Sequence, residues 1–279
     1  MKYEFSVLKR LLLLLCCYMP FAIFAQNTLH GSEHEKRIIT LAPHLTELVF
    51  LLKQDSHLVA VSDYSDYPAS ARLLPSVASH TGLDFKAIIK ARPTHVLAWE
   101  GGNKPQDIAK LISLGFNVLS QRTSTLTDIS QNIIELGTFL HSPMATIVSN
   151  QFDRMLTQIQ NTYGTREHQT VFYYSWTMPL MSIGASAWGN EILKICRLTH
   201  IFEQVPVEYP QVSLAEVLRI QPDYIINVSK EPLNSVEAFW FPHKKVLDVP
   251  LIQLNPDLIH RYTPRILPEI GRLCSVTEP

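Results

Sequence analysis

Two stretches of the sequence repeat one pattern: residues 84–98 read DFKAIIKARPTHVLA, and residues 213–227 read SLAEVLRIQPDYIIN. Each begins with a residue that favours a helix N-cap, Asp84 or Ser213. Apolar residues then recur at i, i+3 and i+4, which places them on one face of a helix. A proline ends the helix, because it lacks an N–H group and disfavours the α conformation of the preceding residue. The apolar run that follows predicts a buried strand.

The two copies are 129 positions apart, from Pro93 to Pro222, which indicates two similar lobes and not one sheet. A chain of 279 residues is long enough for two lobes that each bury a core. Between them, residues 142–166 carry apolar side chains at helical spacing and no glycine before Gly164. We therefore predict an α/β protein with two Rossmann-like lobes joined by one long α-helix, and a ligand cleft between the lobes.

The predicted organisation has five parts. They are a signal peptide at 1–25, a polar lead-in at 26–36, an N-terminal α/β lobe at 37–141, a linking helix at 142–167 and a C-terminal α/β lobe at 168–279. With 46% hydrophobic and 18% charged residues, the composition is that of a globular protein. A net charge of −1 gives no reason to expect nucleic acid or an anionic membrane surface as a partner. We expect a monomer in the free state.

The first 25 residues have the features of a cleaved signal peptide. Lys2, Lys9 and Arg10 precede an apolar run that ends in a small residue, Ala25, before a polar segment. The alternative is a membrane anchor, but Pro20 interrupts the run and the run is short for a membrane span. The sequence therefore predicts an exported, periplasmic protein.

Cleavage of the leader would remove two of the four cysteines and leave Cys196 and Cys274. An even pair in an exported chain predicts a disulfide, which would close a long loop between the second lobe and the last helix. The alternative is two buried free thiols.

Aromatic and polar residues follow several of the predicted strands, and in open α/β sheets ligands bind beyond the carboxyl ends of the strands. These residues are Pro43 with His44, Tyr64 with Tyr67, Trp99, Trp176, and the segment 257–261. If these strand ends of the two lobes face each other, they would form a cleft.

Several segments resemble the helix-linked substrate-binding proteins of ABC importers for cobalamin, haem and iron–siderophores. They are RIITLAP at 37–43, TE at 46–47, SDYSDYP at 62–68, AWEGGN at 98–103, SLG at 113–115 and PQVS at 210–213. The tyrosine loop and the WEGGN run are similar to the cobalamin branch, whereas the repeated unit marks only the broader family. The resemblance covers essentially all of the chain after the leader. It also implies a disulfide that matches Cys196–Cys274.

The resemblance implies a protein that captures cobalamin or a related corrinoid and delivers it unchanged to the membrane subunits of an ABC importer. Cobalamin would be a transported ligand, with no cofactor and no resident metal. A corrinoid is a large, partly apolar ring edged by amides, which suits aromatic walls with few fixed polar groups. The predicted contacts are Pro43, His44, Tyr64, Tyr67, Trp99, Trp176, Asp257, Leu258, Ile259, His260 and Arg261. Simple packing is the alternative for each aromatic residue, and Trp188 is assigned to packing.

The sequence departs from the family pattern at two places. Leu258 and Ile259 replace an aromatic pair, which removes one stacking surface. His44 replaces a small residue, and a cleft histidine could coordinate cobalt or haem iron. The alternative for His44 is a solvent-facing loop residue. His260 could likewise either coordinate a metal or face solvent. Haem therefore stays open as a ligand.

Docking to the importer is predicted at one acidic residue on each lobe, because charge pairs between partners fix register and speed encounter. Glu216 lies at, or one position beside, the family's site in the second lobe. It also completes the pattern Ser213-x-x-Glu216, which has the spacing of a structural capping box. In the first lobe Lys86 stands at the position where the family has its acidic residue, with Asp84 nearby. The first lobe must therefore dock through different contacts from those of the family.

Other functional classes find little support in the sequence. We find no Gly-x-Ser-x-Gly, His-Glu-x-x-His or Gly-x-Gly-x-x-Gly motif in a suitable context, so catalysis is not expected. The pair His30 and His34 has a metal-like spacing but lies in the polar lead-in. Within the same fold, the alternatives are a haem or iron–siderophore binding protein and an exported corrinoid scavenger without a transporter.

Overall fold

The computed structural model describes residues 36–277. The predicted signal peptide and all but the last residue of the polar lead-in lie outside these residues. Among the helices between residues 36 and 277, none is long and apolar enough to cross a membrane.

The first lobe is built on a six-stranded sheet with the order β4-β3-β2-β1-β5-β6. Its strands are β1 (Ile38–Thr40), β2 (Leu58–Ser62), β3 (Ser76–Ser79), β4 (Gly82–Leu83), β5 (His95–Trp99) and β6 (Val118–Gln121). Its helices are α1 (Pro43–Leu51), α2 (Phe85–Ala91), α3 (Pro105–Ser113) and α4 (Leu126–Phe139). All pairs are parallel except β3 with β4, so the carboxyl ends of most strands meet at one edge.

The second lobe follows the long helix α5 (Ala145–Tyr163) and contains a five-stranded sheet. Its strands are β7 (Gln169–Thr177), β8 (Leu180–Ser182), β9 (Leu198–His200), β10 (Tyr224–Val228) and β11 (Leu251–Leu254). Its helices are α6 (Gly189–Ile195), α7 (Leu214–Ile220), α8 (Leu233–Trp240), α9 (Pro256–Ile259) and α10 (Ile266–Val276). Strand β7 pairs in parallel with β10 and β9 and antiparallel with β8. The predicted fold class, two α/β lobes joined by one long helix, is confirmed.

The repeated sequence unit forms the same structure in both lobes. Helix α2 leads into β5 and helix α7 leads into β10, and each strand lies inside its sheet. Each helix ends at a left-handed residue just before the proline, Arg92 with φ 47° and Gln221 with φ 56°. The buried positions match as well, since Ile88 and Val217 are fully buried. Ile89 departs from the prediction, because it is largely exposed and not on the buried face.

One continuous apolar core runs through both lobes and the linking helix. It includes Ile38 of β1, Phe152 and Leu156 of α5, and Tyr173 of β7. A buried cluster that belongs to both lobes favours a fixed arrangement of the two, since separating them would expose apolar surface to water.

The predicted disulfide is confirmed. Cys196 and Cys274 are bonded and buried, and they join the end of α6 to α10. The alternative of two free thiols is therefore wrong.

The loop position considered for His44 is wrong. Helix α1 begins at Pro43, since proline at the first helical position has no N–H group to leave unsatisfied. This places His44 inside the first turn of a helix and not on a loop.

Candidate functional site

A cavity of about 690 Å³ lies between the two lobes. The first lobe contributes Trp99, Glu100, Gly101, Arg122, Thr123 and Ser124, and the second contributes Ser186, Trp188, Glu208, Tyr209, His260 and Tyr262. A neighbouring cavity of about 250 Å³ is formed by the first lobe alone, and both Pro43 and Tyr64 line it. Trp99 lines both cavities, so the two adjoin at this residue and are together called the cleft.

Trp99 is held by the turn that follows β5. Its backbone N–H donates to the side chain of Asn103 (2.8 Å), and the Asn103 amide donates in turn to the carbonyl of Leu41 (2.9 Å). The indole lies directly over Gly102, where a Cβ atom would come within 1.8 Å of the ring carbon Cε3. Glycine is therefore required beneath the ring, and the WEGGN run of the sequence has a structural cause.

Tyr262 joins the aromatic residues of the two lobes. Its ring meets Trp188 edge-on at 4.8 Å, His44 edge-on at 5.2 Å, and Trp99 at 5.7 Å between centroids. Trp188 is fixed from behind by its indole N–H, which donates to the carbonyl of Ile259 (2.8 Å). The cavity therefore has an aromatic wall with contributions from both lobes, which suits a flat, partly apolar ligand.

His44 supports this wall from behind. It is only 4% exposed, and its ring packs edge-on against Trp99 and Tyr262. Burial, aided by the positive charge of Arg261, lowers the pKa of His44 to about 3, so the imidazole is neutral. The structure does not place His44 in the lining of either cavity, nor on a solvent-facing loop. His260 is the histidine that borders the larger cavity.

Tyr64 and Tyr67 lie on the loop after β2. Tyr64 is 73% exposed with a left-handed backbone (φ 62°), and it lines the smaller cavity. Tyr67 is half-exposed, and the guanidinium of Arg265 lies 3.5 Å from the centre of its ring. Of the two tyrosines, the structure presents Tyr64 to the cleft and directs Tyr67 towards Arg265, outside both cavities.

Arg261 is 6% exposed and binds acidic groups of both lobes. Its Nη1 lies 2.8 Å from Glu47 Oε1, and its Nη2 lies 2.7 Å from Asp66 Oδ1 and 3.3 Å from Asp257 Oδ1. The same Nη2 donates to the carbonyl of Tyr64 (3.2 Å). Burial would raise the pKa of Asp66, but the hydrogen bond and charge of Arg261 lower it overall. Arg261 thus positions the Tyr64 loop and does not line either cavity.

The other predicted contacts are dispersed. Ile259 is fully buried, and Asp257 is engaged by Arg261 and by Lys230 at 2.8 Å. Neither they nor Leu258 line the two cleft cavities. Trp176, the residue before the last of β7, is 61% exposed and also lies outside both cavities.

The predicted docking residues lie on the two copies of the repeated helix, and both are accessible to solvent. Lys86 is exposed on α2. On α7, the carboxylate of Glu216 binds Arg219 of the same helix through two contacts of 2.6 and 3.0 Å. Ser213 makes no side-chain cap bond, so the capping-box interpretation of Glu216 is wrong.

Sequence reasoning missed several cavity residues. They are Glu100, Arg122, Ser186, Trp188, Glu208, Tyr209 and Tyr262. Two signals were available: Arg122 follows strand β6 directly, and Tyr209 precedes the PQVS segment at 210–213. The sequence assigns Trp188 to packing alone, but this residue also lines the larger cavity. Tyr262 lies one residue beyond the predicted segment 257–261 and is not among the predicted contacts. Among residues 36–277, no group of three or more His, Cys, Asp or Glu side chains is arranged to hold a metal ion.

This chain is similar to vitamin B12-binding proteins of Vibrio cholerae. The vitamin B12-binding protein of Vibrio cholerae serotype O1 is 32% identical over 243 residues, which cover 86% of this chain and 88% of that protein. The solved structure of the periplasmic vitamin B12-binding protein BtuF of Vibrio cholerae is similar with a TM-score of 0.78 and 32% identity, over 86% of this chain and 95% of that one.

A more distant solved structure shares only the fold. The periplasmic haem-binding protein HutB of Vibrio cholerae has a TM-score of 0.76 at 18% identity, over 88% of this chain and 100% of that one. A family profile described as periplasmic binding protein matches residues 38–238. The chain therefore belongs to the periplasmic binding protein family.

Proposed function

We propose that this protein captures cobalamin or a closely related corrinoid in the cleft between its lobes and passes it unchanged to an ABC importer. The observation that carries the proposal is the aromatic wall formed by Trp99, Trp188 and Tyr262 at an interlobe cavity of about 690 Å³. The relatives at about one-third identity that are named for vitamin B12 binding support the same ligand.

The shape and chemistry of the cleft suit a corrinoid. The corrin ring has two large faces of mostly apolar character, which aromatic side chains can cover. Its edge carries amides, and the cleft offers carboxylate, hydroxyl and backbone groups from residues such as Glu208, Ser124 and Ser186. Tyr64 extends the aromatic surface along the first lobe, where the smaller cavity opens.

Export and delivery complete the proposal. The charged and apolar leader at residues 1–25 would direct the chain to the periplasm, where the oxidising environment maintains the Cys196–Cys274 disulfide. The ligand is carried as cargo and not used as a cofactor. Glu216 on one lobe and the surface around Lys86 on the other would meet the membrane subunits of the importer.

The direct test is calorimetric titration of the exported, oxidised protein with cyanocobalamin and separately with haemin. We expect one-to-one binding of cyanocobalamin and weaker or no binding of haemin. Tyr64→Ala should weaken cyanocobalamin binding, whereas Phe241→Ala, which removes another exposed aromatic ring outside the cleft, should not. Haemin binding without cobalamin binding would overturn the corrinoid proposal, and His260→Ala would then test whether the cavity histidine holds the iron.

Docking requires its own test, because ligand capture and delivery are separable. Glu216→Lys should reduce cobalamin uptake by cells that depend on this protein while leaving the dissociation constant for cyanocobalamin unchanged. Glu237→Lys, which makes the same charge reversal elsewhere on the second lobe, serves as the matched control. Normal uptake with Glu216→Lys would remove this residue from the docking surface.

A further inference from the structure

The charges that line the cleft are unevenly balanced. Glu100 and Arg122 lie 3.6 Å apart and neutralise each other. Within residues 36–277, no cationic side chain comes within 4 Å of the remaining carboxylate of the larger cavity, Glu208. The smaller cavity adds Asp63, and no lysine and no arginine other than Arg122 lines the described part of either cavity.

Glu208 lines the same cavity as the aromatic wall. It precedes Tyr209, and both residues line the larger cavity together with Tyr262. Burial, the charge of Glu208 and a hydrogen bond with its carboxylate raise the pKa of Tyr209 to about 12. Burial and the charge of Glu208 also raise the pKa of Tyr262. The carboxylate is therefore close to both phenols, which remain protonated at neutral pH. A ligand that stacks on Tyr262 would bring its edge near Glu208.

We propose that Glu208 makes this cleft select macrocycles whose edges carry neutral amides over macrocycles whose edges carry carboxylates. An amide N–H can donate a hydrogen bond to the Glu208 carboxylate, and a bond to a charged acceptor is stronger than one between neutral groups. A carboxylate at the same place has no hydrogen to donate and is repelled by the like charge. Arg122, the one lysine or arginine among the described residues that line the two cavities, is already engaged by Glu100.

This inference rests on the proposed function, because it takes the cleft to be the ligand site. It separates the two ligands that the fold leaves open: the side chains of cobalamin are amides, whereas haem carries two propionates. Specificity of this kind acts through repulsion of the wrong ligand as much as through attraction of the right one. Glu208 is accessible to solvent. The dissociation constants of an amide and a carboxylate ligand should therefore differ about fivefold at low ionic strength, the upper range for an exposed charge interaction.

The test compares cyanocobalamin with each of its propionamide monocarboxylic acids, in which one amide has been hydrolysed. Dissociation constants are measured for the parent protein, for Glu208→Gln, and for Glu237→Gln as a control that removes the same charge outside the cleft. We expect the parent to bind at least one monoacid about fivefold more weakly than cyanocobalamin. Glu208→Gln should bring that ratio close to one, Glu237→Gln should retain it, and added salt should reduce it in the parent.

Two results would overturn the inference: equal binding of every monoacid and cyanocobalamin by the parent, or an unchanged ratio in Glu208→Gln. Failure of the proposed function gives a different result, since no corrinoid would then bind. In that case haemin is compared with its diamide in the same three proteins. Tighter binding of the diamide, lost in Glu208→Gln, would support the charge rule, whereas equal binding or no binding of the pair would overturn it.

Discussion

The guanidinium of Arg261 in the second lobe lies 2.8 Å from the carboxylate of Glu47 in the first. Both side chains are almost completely buried. The same carboxylate accepts hydrogen bonds from Arg265 (2.7 Å) and Thr263 (3.1 Å). One buried glutamate of the first lobe is thus the common partner of three residues of the second, and this network fixes how the two walls of the cleft face each other.

Removing the charge of Glu47 should destabilise the protein. Glu47→Gln removes one of the two first-lobe carboxylates that the buried Arg261 contacts, the other being Asp66. Breaking a buried ion pair costs about 3 kcal/mol in the free energy of unfolding. Urea denaturation measures this difference. Glu216→Gln, which breaks the exposed pair with Arg219, should leave the unfolding midpoint unchanged. A Glu47→Gln variant as stable as the parent would show that the network is dispensable.

Ligand binding should move the lobes only slightly. The network around Glu47 and the apolar core that continues through α5 both resist separation of the lobes. We expect the radius of gyration from X-ray scattering to change by less than about 1 Å when ligand is added, as in other preorganised binding sites. A wide, ligand-dependent hinge motion would contradict this prediction.

Stability should fall as the pH drops below about 6.5, the pKa of histidine in an unfolded chain. Burial lowers the pKa of His44 to about 3 and that of His200 to about 4. Between these pKa values and about pH 6.5, each of these histidines is protonated in the unfolded chain but neutral in the folded protein. Each histidine therefore lowers the free energy of unfolding by about 1.4 kcal/mol for every pH unit that the pH falls. Asp66, whose pKa lies below its usual range, loses stabilising charge only at still lower pH, below about 4.

Melting temperatures between pH 7 and pH 4.5 test this dependence. His44→Phe retains a ring against Trp99 and Tyr262 but cannot titrate, so the slope of stability against pH should become shallower. His168→Gln, at an exposed position before β7, should retain the parental slope. Stability that is flat from pH 7 to pH 5 in the parent would contradict the burial of these histidines.

Reducing the disulfide should destabilise the fold. The bond joins cysteines that are 78 positions apart, and releasing a loop of this length is expected to cost about 2–4 kcal/mol. Both sulfurs are buried, so unfolding by urea should be compared at equilibrium with and without reductant. The double variant Cys196→Ala/Cys274→Ala should be less stable than the oxidised parent, and its stability should not change when reductant is added. Equal stability of the oxidised and reduced parent would contradict the prediction.

The aromatic wall makes a prediction about which rings contact the ligand. Tyr262→Ala should weaken cyanocobalamin binding about tenfold, because it removes a ring from the cavity and leaves Trp188 and Trp99 without a shared neighbour. Tyr262→Phe should bind nearly as well as the parent. Trp176→Ala should have no effect, since this exposed ring lies outside the cavities. A larger loss of cyanocobalamin affinity with Trp176→Ala than with Tyr262→Ala would show that Trp176, and not Tyr262, contacts the ligand.

Much of the architecture was readable from local patterns. The unit at residues 84–98 and its copy at 213–227 predicted the paired helices α2 and α7 with the strands that follow them. Two cysteines left after the leader predicted the disulfide, and the resemblance of the tyrosine loop and the WEGGN run to the cobalamin branch predicted the ligand class. The helix–strand units depend on periodicity, capping and backbone chemistry within about 15 residues, so they are encoded where they occur.

The tertiary structure alone decided what the predicted site residues do. His44 and Arg261 both follow predicted strands, yet one packs behind the aromatic wall and the other binds a glutamate 214 positions away in the chain. Tyr262 lies just beyond the predicted segment 257–261 and is not among the predicted contacts, yet it lines the cavity, where folding brings Trp99 of the other lobe against it. Burial and charge pairing depend on neighbours that are distant in the chain, and a pattern within a single segment holds no information about them.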